Sequence, residues 1–184
     1  MRMSADFIDL PPGGSQAVIR TQLDVSGVPF VPAGDRYAAD LEIAGPVYDE
    51  TGHLAGEVTG ERAQLSLTEE TYRRAATEGL TVQKTVALPP GRYQVRMAAR
   101  EGTRSLLGSA SAWVDIPDVA AGELTLSSVF LLADAGPGGT DLADAQVDRR
   151  FRRGQGLHYA VHAYGLPSPG GATCTSEANT GSVG

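Results

Sequence analysis

Hydrophobic and polar residues alternate with a period of two over much of this chain. In Arg92–Arg100, Tyr93, Val95, Met97 and Ala99 fall on one face and Arg92, Gln94, Arg96 and Arg100 on the other, which predicts a half-buried strand. A second strand, Leu80–Leu88, runs into Leu88-Pro-Pro-Gly91. Proline fixes φ and glycine permits positive φ, so this is turn chemistry, and the two strands are expected to pair as a hairpin. Further strands are predicted at Ala17–Val25, Tyr37–Tyr48, His53–Leu67 (interrupted at Gly56 or Gly60), Ala110–Ile116 and Leu124–Leu132. The turn Asp49-Glu-Thr-Gly52 joins two of them as another hairpin. One segment breaks the pattern. Thr68 can cap a helix, Glu69 and Glu70 suit its positive end, Leu67 and Tyr72 have staple spacing and Gly79 can end it, so a helix is predicted at about 69–78.

Short strands at close spacing with a single helix predict an all-β fold, an antiparallel β-sandwich of the immunoglobulin or fibronectin III kind with one connecting helix. The expected organisation is a sandwich domain over 1–132, beginning in earnest near Phe7, then a Gly/Asp-rich linker at 133–150. A lone strand at 151–164 either adds to the sandwich edge or belongs to a truncated second sandwich, and 165–184 is expected as a disordered tail. The predicted core comprises Leu41, Ile43, Leu65, Leu67, Val82, Val86, Tyr93, Val95, Met97, Val114, Leu124 and Leu126. Composition fits: aromatic residues are only 6%, and 23 glycines and 11 prolines favour turns over long helices.

Charge narrows the partners. Fifteen basic against twenty-two acidic residues give a net charge of −7, which opposes binding to phosphate backbones, so no nucleic-acid partner is expected. The N-terminal ten residues lack the apolar run of a secretory leader, and the longest apolar stretch, Val129–Ala133, is too short to cross a bilayer, so no membrane insertion is expected. The single cysteine, Cys174, excludes an internal disulfide and a thiolate zinc cluster.

Several segments offer chemistry. Leu23-Asp-Val-Ser-Gly27 resembles the start of an Asp-x-Ser-Gly-Ser metal loop, but Val28 stands where the second serine would supply a ligand. His158 and His162 have the spacing of helical zinc sites, yet the catalytic glutamate is replaced by Tyr159, and alternation makes the segment a strand with two exposed histidines. Asp141, Asp144 and Asp148 match no calcium loop. Gly154-Gln-Gly156 lacks the third glycine of a dinucleotide loop, and Lys84, the only lysine, follows Gln83 and not a glycine. Ser105, Ser109 and Ser111 lie in no nucleophile elbow, and His53, His158 and His162 come with no triad context. No catalytic residue, metal ligand or cofactor site is therefore assigned, and the chain is expected not to be an enzyme. Trp113 and the basic run Arg149, Arg150, Arg152 and Arg153 are the candidate partner-binding residues.

Leu88-Pro-Pro-Gly-Arg-Tyr-Gln-Val-Arg96, Gly108–Asp118, Leu124–Phe130, Thr71–Ala75 and Arg150–Tyr164 together resemble the region downstream of the type A domain in acidobacterial von Willebrand factor type A-related proteins. That resemblance spans about 17–164 and implies an accessory sandwich of an exported or surface protein, extracellular or periplasmic. The type A domain is absent here, so the chain is expected to be a fragment, and no metal-binding residue carries over. The expected function is a non-catalytic structural or protein-interaction module, partnered by another protein or a neighbouring domain. The alternative is a carbohydrate- or small-ligand-binding sandwich using Trp113, Tyr37 or Tyr48 on an exposed face.

Overall fold

A computed structural model of the chain describes residues 1–102, 107–133, 145–151, 156–165 and 180–182. The strands, in chain order, are β1 (Arg2–Leu10), β2 (Gly14–Leu23), β3 (Val31–Ala33), β4 (Arg36–Asp49) and β5 (Leu54–Thr68). Helix α1 (Glu69–Glu78) follows, then β6 (Leu80–Ala87), β7 (Gly91–Glu101) and β8 (Leu107–Ile116). A 3-10 turn at Val119–Ala121 leads to β9 (Thr125–Leu126), β10 (Phe130–Ala133), β11 (Gly156–Ala160), β12 (Ala163–Tyr164) and β13 (Thr180–Ser182).

The fold is an all-β sandwich of antiparallel sheets. A small sheet has the order β1-β2-β6. The larger, five-stranded sheet places β4 between β5 and β7, with β8 beyond β7 and β3 pairing the start of β4. β1 lies against β8 and β6 against β5, so the sheets close at both margins over one core. Phe7, Ala17, Ile19, Leu41, Ile43, Val47, Tyr93, Val95, Met97 and Val114 fill it, each inward position supplied by alternation. Leu65, Leu67, Val82 and Val86 pack at its border.

Helix α1 carries the chain from the large sheet to the small one. The Thr68 hydroxyl accepts from the Thr71 amide at 3.3 Å, and Gly79, at φ 86°, donates its N–H to the Ala75 carbonyl. Tyr72 on this helix stacks on Tyr37, ring centroids 4.4 Å apart, and Phe30 meets Tyr72 edge-on.

Two pairings differ from expectation. The hairpin joining β4 to β5 through Asp49–Gly52 is present, and the segment expected at His53–Leu67 runs as one strand, Leu54–Thr68, whose register shifts where an interruption was expected. Strands β6 and β7, expected as a hairpin, instead belong to opposite sheets: β6 pairs with β2, and β7 with β4 and β8. Leu88–Pro90 is thus a crossing between layers, with Leu88 buried in the core. β1 was not foreseen; it is the hairpin partner of β2.

The C-terminal strands form a further layer. β10 pairs with β11, and β11 with β13, the last drawn from the segment expected as a disordered tail. Phe130, Leu132, Ala145 and Ala160 cluster on Ile8 and Val18, covering β1 and β2 on the side away from the main core. Leu124 and Leu126, expected in the core, are 66% and 57% exposed, because β9 pairs only with the two-residue β12. Residues 134–144, most of the expected linker, lie outside the described residues.

Candidate functional site: the outer face of the large sheet

Alternation that buries Val47, Tyr93, Val95 and Val114 turns Tyr48, Arg92, Gln94, Arg96 and Trp113 outward. Register then aligns them. Leu54 of β5 pairs with Tyr48 of β4, Tyr48 with Gln94 of β7, and Gln94 with Trp113 of β8, so these four side chains form one row across the sheet. Trp113 is 47% exposed and Leu54 is 62% exposed.

Arginines on the diagonals brace the row. The Arg92 guanidinium lies 5.1 Å from the Trp113 ring centre, and that of Arg96 lies 5.1 Å from the Tyr48 ring centre. Arg96 also donates from Nε and Nη2 to the Gln94 Oε1 at 2.9 and 2.7 Å, which orients the amide. Arg92 faces Asp115 at 3.6 Å.

The β4–β5 turn forms one wall. Tyr48, Asp49, Glu50, Thr51, Gly52, Gln94, Arg96 and Trp113 line a depression of about 460 Å³. Asp49 Oδ1 accepts from the Thr51 amide (2.9 Å), the Thr51 hydroxyl (2.7 Å) and the His53 amide (2.9 Å). Those hydrogen bonds, the Thr51 hydroxyl first, hold the Asp49 carboxyl below its ordinary range. His53 Nδ1 lies 2.7 Å from the Thr51 hydroxyl and 3.7 Å from Asp49 Oδ2. Hydroxyl and carboxylate meet the same ring nitrogen, and the imidazole is 84% exposed, so the trio stiffens a turn and lacks the two-sided relay of a catalytic triad.

The other residues singled out in the sequence lie elsewhere. Arg149 sits beyond the small sheet, 3.4 Å from Asp6 Oδ1 and from the Val129 carbonyl, so it and Trp113 do not share a surface. Its backbone has a φ of 51°. Arg150 is exposed beside it, its amide bonded to Asp148 Oδ1, while Arg152 and Arg153 lie outside the described residues. Tyr37 is committed to the aromatic cluster with Tyr72 and is not part of the row. His162, expected exposed, is buried against Tyr164, and its Nδ1 has no hydrogen-bond partner among the described residues. Asp24 accepts from the amide and hydroxyl of Ser26, a local turn, and those bonds lower its carboxyl below the usual range. Among the described residues no group of three or more His, Cys, Asp or Glu side chains converges as metal ligands. Asp141, Asp144, Gly154, Ser105 and Cys174 lie outside them. Among the described residues no helix is long and apolar enough to cross a membrane.

Gln94, Arg96 and Leu54 were not singled out from the sequence. The signal was present in the outward set Arg92, Gln94, Arg96, Arg100, but which strands flank β7 is not encoded locally. Fold and face together define an all-β sandwich carrying a braced aromatic row on one open sheet. The chain matches no family model, no curated protein and no solved structure.

Proposed function

We propose that this chain is a non-catalytic binding module that recognises its partner through the outer face of the large sheet, centred on Trp113. The supporting observation is the row Leu54–Tyr48–Gln94–Trp113, where the exposed Trp113 ring and the half-buried Tyr48 ring stand on one face beside fixed polar groups. Exposed aromatics held by neighbours lose little side-chain entropy on binding, which favours recognition. A role as accessory module of an exported or surface protein, as the resemblance to von Willebrand factor type A-related proteins implies, fits this reading.

The test is a parallel screen of wild-type protein and Trp113→Ala on arrays of peptides and of oligosaccharides. Trp113 is exposed, so its loss is expected to leave the fold intact, as circular dichroism will show. Ligands held by the wild type are expected to lose at least about tenfold in affinity, near 1.4 kcal/mol, in the variant. Ligands retained equally by both proteins place recognition on another surface and reject the reading, as does the absence of any ligand.

A further inference from the structure

Building on that reading of the face, we infer that its ligand is a neutral oligosaccharide laid across the strands from Tyr48 to Trp113. Three features of the site select that chemistry. The first is the mixed sign of the depression, which is lined by Arg96 together with Asp49 and Glu50. A strongly charged ligand of either sign gains from one group and is opposed by the other. Hydroxyl groups donate and accept, so each finds a partner here without paying for a charge.

The second feature is the rings. An aromatic face carries partial negative charge, which suits the weakly positive C–H bonds that a pyranose presents on its apolar side. Arg92 and Arg96 each cover one side of a ring and hold it in place, and Trp113 still keeps about half its surface in solvent. The third is span. Tyr48 and Trp113 stand on strands separated by β7, roughly 9.5 Å apart at two strand spacings, which exceeds a single sugar ring and calls for a linked chain. Midway between them Gln94 has its carbonyl oxygen fixed by Arg96, which leaves the amide nitrogen to donate to a sugar oxygen.

Trp113 is the sole tryptophan, so its fluorescence reports directly on this face. The protein is titrated with cellohexaose, maltohexaose, mannohexaose and xylohexaose, and with polygalacturonate as the acidic comparator. At least one neutral chain is expected to change the emission saturably below about 10 mM. That binding is expected to weaken at least about tenfold in Tyr48→Ala and in Gln94→Ala, both of which retain the reporter, and to be insensitive to added salt. No response to any neutral chain overturns the inference, and so does a response to polygalacturonate alone that salt abolishes. Trp113-dependent binding to peptides with no sugar response leaves the face as the binding surface and removes the oligosaccharide. Array binding indifferent to Trp113 removes both.

Discussion

A Cβ at Gly45 would stand 1.8 Å from the Arg96 carbonyl oxygen, which no side-chain movement can relieve because the obstacle is backbone. The register of β4 against β5 shifts just before this glycine, so the close approach to the β7 backbone lies at an irregularity in the pairing of β4. Gly45→Ala is expected to cost about 1–3 kcal/mol by overpacking, read as a lower urea midpoint. Gly27→Ala, where a Cβ would meet nothing within 4 Å, is expected to stay near wild type. Equal midpoints for the two variants would contradict this account. Arg20 presents the opposite problem, a cation only 1% exposed. Its Nη1 donates to Asp6 Oδ2 at 2.9 Å, and its guanidinium lies 4.8 Å from the Phe130 ring centre. Burial lowers the Arg20 pKa, and Asp6 works against that shift by charge and hydrogen bond. Asp6→Ala takes the Asp6 carboxylate away from that buried charge and is expected to cost about 3–5 kcal/mol. The double variant Asp6→Leu with Arg20→Met is expected to recover most of that loss in the same urea titration, and a double variant as unstable as Asp6→Ala would show that packing, not charge, is decisive.

At the scale of elements, legibility depended on how many faces a strand buries. β4 and β7 bury one face, so alternation was plain, and the helix was visible through its cap and terminating glycine. β1 and β2 are covered on both sides, and Asp6 and Arg20 lie inside, which erased the period and hid β1. Leu88-Pro-Pro-Gly91 provides a reversal that serves a hairpin or a crossing between sheets equally well, since partner choice is set by packing over distance. Leu124 and Leu126 alternate like core residues but belong to a two-residue strand with little to cover them. The site was partly legible for the same reason: Trp113 and Tyr48 can be named one by one, whereas the row that joins them depends on pairings among four strands. The layer containing β10 and β11 yields its own prediction. A chain ending at Val129 loses Phe130, Leu132, Ala145 and Ala160 from Ile8 and Val18. Each large apolar side chain so removed is worth about 1.5–3 kcal/mol, so the shortened chain is expected to unfold at lower urea and to bind a hydrophobic dye. An unchanged midpoint would show that this layer is only loosely attached.

For the whole molecule, the layers divide the work. The small sheet is sealed between the main core and the C-terminal strands over β1 and β2, whereas the large sheet keeps its outer face open around Trp113. In an acidic molecule with net charge −7, Arg92 and Arg96 lie against aromatic rings, and the proposed recognition at this face accordingly rests on shape and hydroxyl chemistry more than on long-range attraction. The most direct measurement is a ¹H–¹⁵N spectrum of the labelled protein titrated with the strongest array ligand, following the single Trp113 indole N–H together with the backbone amides. Shifts concentrated on Trp113, Gln94, Arg96, Tyr48 and the 49–52 turn are expected. Shifts centred instead on β9, β12 or Arg149, with the Trp113 indole unmoved, would contradict the assignment of this face.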